Sequence, residues 1–200
     1  LTNASTRFII WGLVIEDHLG LTIGCDNKNG GYQATRHLLG AGRSRIAFLG
    51  NTSRRSPEFT ARHKGYVQAL LDAGKAPAAE LKVDADNLEE LGYQAARRLI
   101  DDGADFDSIF AVTDVIAIGA MRALQDAGRR VPDDVAVVGF DDLPLAQHVT
   151  PALTTVRQDI RLAAEGLVDG IVALIEDQPV ESTLMAPRLI VRQSCGTARG

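Results

Sequence analysis

The 200 residues are 46% apolar and 24% charged, the balance of an ordered globular protein with room for one good domain or two small lobes. A formal net charge of -5 without any long Lys/Arg block argues against direct nucleic-acid binding, because phosphate neutralisation needs a concentrated basic face. No run reaches membrane-spanning length, and the start LTNASTRFIIWG has no charged-then-apolar signal pattern. Cys25 and Cys195 lie far apart with no CxxC or His-rich neighbourhood, which reads as a reducing, cytoplasmic setting without structural disulfide or metal.

In chain order, residues 8–11 and 21–25 read as short buried strands, separated by a polar loop with Glu16, Asp17 and His18 that is too short for a crossover helix. A helix over 29–41 turns Ala34, Leu38 and Ala41 to one face and stops at Gly42. Residues 45–50 form a strand, and Pro57 opens a helix with Tyr66, Ala69, Leu70 and Ala73 inward that ends at Gly74. After a strand at 81–83 comes the clearest amphipathic helix, with Leu88, Leu91, Gly92, Ala95, Ala96 and Leu99 at the helical period. Residues 108–112 read as a strand, Asp114 as an N-cap, and 115–127 as a helix closed by Gly128. The Val-rich run 135–138 has the character of a strand covered on both faces, broken at 139–142. A strand at 153–156, a helix over 160–176 facing inward through Ile160, Ala164, Leu167, Ile171 and Leu174, and terminal strands at 183–185 and 188–192 complete the chain. Strands alternating with helices predict a parallel α/β sheet with right-handed crossovers.

No Walker loop, GxSxG, HExxH or kinase signature occurs, and Gly40-Ala41-Gly42 ends a helix where a dinucleotide fingerprint would follow a strand. Neither a catalytic residue nor a cofactor is therefore expected. Open α/β sheets bind ligands beyond the carboxyl ends of their strands. There the chain places Trp11, Asp26, the loop leading to Arg62, the stretch 110–114 and Asp141. Aromatic faces cover the apolar side of a sugar ring while Arg donors and carboxylate acceptors satisfy its hydroxyls, so the mixture suits a small polyol. Plain core packing is the competing role for Trp11 and Phe110, a turn or a cap at 144–148 for Asp141 and Asp142, and a surface pair with a neighbouring acid for Arg62. Cys25 reads as a small buried hydrophobe.

Four runs, CDNKNGGYQATRHLLGAGRSRIAFLG (25–50), ARHKGYVQALLDAG (61–74), SIFAVTDVIAIGAMRALQDAGRRVPDDVAVVGFDDLPLAQHVTPALTTVRQD (108–159) and PRLIVRQS (187–194), resemble in order the effector-binding core of LacI/GalR-type transcriptional regulators. The resemblance spans essentially the whole chain. It implies an α/β fold like that of type I periplasmic binding proteins: two parallel-sheet lobes joined by crossover strands, a sugar-sized effector between them, and a homodimer. Residues 1–25 and 159–186 would make an incomplete N-terminal lobe, residues 26–156 and 188–200 the C-terminal lobe, and the DNA-binding head would lie outside these residues. Arg62 matches the family's effector-gripping arginine and Asp141 the carboxylate after Gly139-Phe140. Trp11, Asp26 and Gln158 match positions facing the cleft, with Phe110 and Thr113 completing the expected effector-binding set. Thr113 stands where members often have Asn, which shortens the side chain and removes an amide.

The function implied is an effector-sensing and dimerisation module of a sugar-responsive regulator, not an enzyme, with DNA reached only through the head. A sugar-binding receptor of a transport system is the alternative on the same fold. Arg62 and Asp141 are expected to clamp effector hydroxyls from one lobe with Trp11 stacking from the other, and their removal is expected to leave the fold intact in a solvated cleft. The helix at 115–127 and the segment 144–149 are expected at a two-fold interface, with Ile116, Met121 and Leu145 supplying apolar surface.

Overall fold

The apolar runs and helical periods become two separate sheets, one parallel and the other parallel except at one edge pair. The computed structural model describes residues 7–12, 21–53 and 55–196, so the loop with Glu16, Asp17 and His18, and Arg54, lie outside the described residues. The chain divides into two units, with changes of unit at Asp26/Asn27, Arg157/Gln158 and Pro187/Arg188.

The smaller unit contains β1 (Ile9–Trp11), β2 (Leu21–Cys25), α5 (Ile160–Ile175) and β8 (Thr183–Met185), the strands lying parallel in the order β1-β2-β8. Ile23, Ala163 and Met185 form its core, with Ile9 and Leu167 packed against them. The contact face of α5 matches the expected one only in part: Leu167 packs on the core and Ile171 and Leu174 are half-buried. Ala163 and Gly170 are buried, whereas Ile160 and Ala164 are exposed. Leu162, Val168, Val172 and Ile175 are also exposed, so apolar residues encircle this helix and its period cannot choose a face. Small residues win because the helix lies close on the sheet: a Cβ on Gly170 would stand 2.5 Å from Ile9 Cδ1.

The larger unit contains α1 (Asn27–Gly40), β3 (Ile46–Leu49), α2 (Pro57–Asp72), β4 (Lys82–Val83), α3 (Glu89–Asp101), β5 (Ser108–Ala111), α4 (Asp114–Asp126), β6 (Ala136–Asp141), β7 (Thr154–Arg157) and β9 (Arg188–Ile190). Its sheet runs β4-β3-β5-β6-β7-β9. All pairs are parallel except β7 with β9, which is antiparallel and departs from the all-parallel expectation. No βαβ crossover within this sheet joins β7 to β9, and that crossover is what forces neighbours to run parallel. Phe48, Ile109, Phe110, Val137, Val138 and Phe140 are fully buried, as strands covered on both faces require.

Two helix pairs flank the sheet through reciprocal glycine contacts. A Cβ on Gly31 of α1 would meet the Arg62 carbonyl at 2.1 Å, and one on Gly65 of α2 the Lys28 carbonyl at 2.0 Å. Between α3 and α4, Gly92 meets the Ile116 carbonyl at 2.3 Å and Gly119 the Glu89 carbonyl at 2.0 Å in the same sense. Only the missing side chains let these backbones touch. Tyr66 ties α2 to the sheet by donating from its hydroxyl to the Ile46 carbonyl at 2.8 Å. Burial, with Glu80 adding to it, pushes the Tyr66 pKa up to about 12.

Three local expectations are corrected. Ala73, the C-cap of α2, and Leu88, the N-cap of α3, are exposed because the helical period continues past the point where the helix meets the core. Asp114 is not the N-cap of α4. Thr113 takes that place, its Oγ1 accepting from Ile116 N at 3.3 Å, and Asp114 enters the first turn fully buried. Ile116 and Met121 are likewise buried within the unit, so of the three residues expected to supply interface surface only Leu145 is exposed, at 53%.

Candidate functional site

Arg62 projects from α2, and the Gly31 contact holds α1 directly on its backbone carbonyl. Nε donates to Asn27 Oδ1 at 2.8 Å and Nη1 to the Val112 carbonyl just past β5. The guanidinium carbon lies 3.6 Å from the Phe140 ring centroid and 5.6 Å from that of Phe59. Phe140 is pressed from beside α1 as well, since a Cβ on Gly30 would stand 2.5 Å from its ring. A cation over an aromatic face gains most where water is excluded, as it is here.

Asp141, the last residue of β6, places Oδ1 3.5 Å from Arg62 Nη1. The arginine side chain is 4% exposed and the carboxylate 22%, so the donor is set inside and the acceptor opens towards solvent. The surface-pair role for Arg62 is thereby overturned: its partners come from the residue after β5, from β6 and from α1 as well as from its own helix. The solvated surroundings on which an intact fold after its removal was expected are not found, because the side chain is buried.

Thr113 follows Val112 and donates from Oγ1 to Asn87 Oδ1 at 2.8 Å. Asn87, in the loop after β4, was not singled out by the sequence; its amide stands beside the position where Thr113 lacks one. An Asn immediately before a helical period carries no signal beyond an ordinary cap. Phe110 is a correction. Its ring is fully buried and sits edge-on to Phe48 at 5.7 Å, so it belongs to the core that supports the site and presents no face to a ligand.

Asp142 differs from its neighbour in role. Arg157 Nε and Arg192 Nη2 hold its two carboxylate oxygens, the latter at 2.6 Å. Burial raises its pKa, but hydrogen bonds and charge from Arg192 and Arg157 outweigh this and leave it below the ordinary range. It is a structural clamp. His63, edge-on to Phe48 at 4.7 Å, has its pKa lowered by burial and by Lys82.

Trp11, Asp26 and Gln158 belong to the smaller unit. Trp11 ends β1, paired with Ile23, and is 38% exposed, so it is not a core residue. Asp26 donates its amide to the Met185 carbonyl at 2.9 Å, and the Gln158 carbonyl accepts from Ile160 N at 2.9 Å. Cys25 and Cys195 are both buried. Among the described residues no group of His, Cys, Asp and Glu could hold a metal ion, and no helix is long and apolar enough to cross a membrane.

A buried guanidinium beside a half-open carboxylate thus stands at the carboxyl ends of parallel strands, where open α/β sheets bind their ligands. Residues 35–195 match the family model "Periplasmic binding protein-like domain", and the chain belongs to that family. Its homologues are LacI/GalR-family transcriptional regulators. It is 36% identical over 171 residues to the HTH-type transcriptional regulator CelR of Thermobifida fusca, covering 84% of this chain and 50% of that protein. It is 33% identical to the HTH-type transcriptional regulator GalR of Escherichia coli K12, covering 88% and 51%. The solved structure of a transcriptional regulator CelR–cellobiose complex superposes with a TM-score of 0.86 at 34% identity, over 93% of this chain and 58% of that one. The chain thus spans about half the length of the curated relatives it matches.

Proposed function

We propose that this chain is the effector-binding and dimerisation part of a sugar-responsive LacI/GalR-type regulator acting in the cytoplasm, with DNA contacted by a helix-turn-helix head elsewhere in the parent protein. Arg62 and Asp141 grip hydroxyls of a small carbohydrate, and Asn87 and Thr113 read a further hydroxyl. The carrying observation is the buried Arg62 guanidinium aimed at the part-exposed Asp141 carboxylate. Fixed donors beside fixed acceptors suit hydroxyls, which must both give and take hydrogen bonds.

A second copy of the chain is the proposed protein partner. Exposed Leu145 shares its turn with Val149, one wall of a groove of about 540 Å³ that Ile118, Met121, Val131 and Pro151 also line. A symmetric dimer buries the same patch on both subunits.

The test is a thermal-shift screen of cellobiose, galactose, ribose and other mono- and disaccharides, since a ligand bound only by the folded state raises apparent stability. Calorimetry on wild type, Arg62→Lys and Asp141→Ala follows with each sugar that shifts the transition. The proposal predicts about tenfold to hundredfold weaker binding in both variants. Unchanged affinity in both, or no stabilisation by any sugar, overturns it.

A further inference from the structure

Asp141 and Asp142 are consecutive non-glycine residues at φ 116° and 56°. Such conformations cost about 1–3 kcal/mol each and persist only where the surroundings over-determine them. The over-determination centres on Asp114. Its Oδ2 accepts from Leu143 N at 2.7 Å, and its Oδ1 accepts from Thr155 Oγ1. Thr155 Oγ1 in turn accepts from Asp142 N at 3.3 Å. One fully buried carboxylate is therefore joined to both amides that follow Asp141, directly to one and through a hydroxyl to the other. Gly139 makes room for it, since a Cβ there would stand 2.4 Å from Asp114 Oδ1.

We propose that Asp114 and Thr155 are positioning residues for effector binding: together they hold the turn after β6 in the left-handed backbone that presents Asp141 to Arg62. The proposal rests on the reading of Arg62 and Asp141 as the effector grip. In the ionised form both carboxylate oxygens accept; protonation turns one of them into a donor and removes the charge that strengthens both bonds. Burial pushes the Asp114 pKa up to about 7 against the lowering pull of Thr155 and Leu143, with the charges of Asp141 and Asp142 raising it further. The other charged groups beside this turn are Arg62 from α2, next to Asp141, and Arg157 from β7 and Arg192 from beyond β9, both on Asp142. The Thr155 and Leu143 bonds lower the Asp114 pKa, so a turn that opens while Asp114 stays buried binds the proton more tightly than the closed turn. Protonation near neutral pH therefore favours this local opening even though it favours the folded over the unfolded chain.

The intact protein is examined at pH 6 and pH 8 by two measurements. Hydrogen exchange of the Leu143 amide, corrected for the intrinsic pH dependence, needs no ligand. Calorimetry with cellobiose gives the affinity. Wild type is expected to lose about tenfold of both protection and affinity at pH 6, the span one proton coupled near pH 7 allows. Asp114→Asn is expected to be low in both at pH 8, by about tenfold to hundredfold, and flat with pH. Thr155→Val should weaken both while Thr155→Ser restores them, a rescue that bulk packing would not produce. Wild-type protection with wild-type pH dependence in Asp114→Asn overturns the proposal whether or not cellobiose binds; should Asp114→Asn fail to fold, equal behaviour of the Val and Ser variants does so. If Asp141→Ala binds cellobiose as wild type does, the grip itself is misassigned and the positioning role falls with it. If Asp141→Ala loses cellobiose and Asp114→Asn does not, only the positioning role falls.

Discussion

Replacing Arg62 by alanine tests whether the guanidinium is a structural member as well as a ligand contact. The substitution removes the donor to Asn27 Oδ1 and the donor to the Val112 carbonyl, and strips the cation from the Phe140 ring. Asp141 is left without a cation 3.5 Å away. Each charge-assisted hydrogen bond contributes about 1.5–3 kcal/mol and a desolvated cation–π contact about 2 kcal/mol, but these share one side chain and do not add. Asp141 opens towards solvent, so no fully buried charge is left behind, and the loss expected is about 1.5–3 kcal/mol, from the buried acceptors that lose their charged donor. Urea unfolding followed by circular dichroism measures it, and thermal unfolding should show a fall of several degrees for a chain of this size. Arg62→Lys keeps the charge without the planar fork, so it should be destabilised less and still bind sugar poorly. A midpoint for Arg62→Ala within about 0.5 kcal/mol of wild type, the range of ordinary surface substitutions, would refute the buried role.

Gly31→Ala should destabilise by about 1–3 kcal/mol and weaken sugar binding together, because its Cβ would drive into the Arg62 carbonyl; Gly40→Ala on the same helix meets nothing and should leave both unchanged in the same unfolding and calorimetry runs. The pKa of Asp142 is depressed, so its contribution to stability is present above the ordinary carboxylate range and lost as pH falls through its folded value; the difference between urea midpoints at pH 6 and pH 3 should shrink in Asp142→Asn. Asp114 has the opposite sign. Raised from the ordinary 3.8 to about 7, it makes the folded state bind more protons, so its effect is to lower stability as pH rises from about 4 to 7, and Asp114→Asn should remove that part of the slope in unfolding measured across the interval.

The alternation of strand and helix, the Val-rich core strands and the helix stops at Gly42, Gly74 and Gly128 are local properties of the sequence, and they are where the structure has them. Each depends on residues within one turn or one pleat, so periodicity and the left-handed freedom of glycine suffice to read them. The candidacy of Arg62 and Asp141 was legible from strand ends and from the ordered resemblance. Their environment was not. Arg62 depends on Asn27 and Val112, 35 and 50 positions away, and Asp142 on Arg157 and Arg192, 15 and 50 positions away. Adjacent aspartates look alike in a sequence, yet one opens towards solvent while its neighbour is enclosed by two arginines. Phe110 joined the core, Asp114 gave up the cap to Thr113, and α5 turned Ala163 and Gly170 inward for the same reason. Local pattern specifies which residues form an element, whereas burial and partner choice are decided only when distant strands close the sheet and assign each side chain its surroundings.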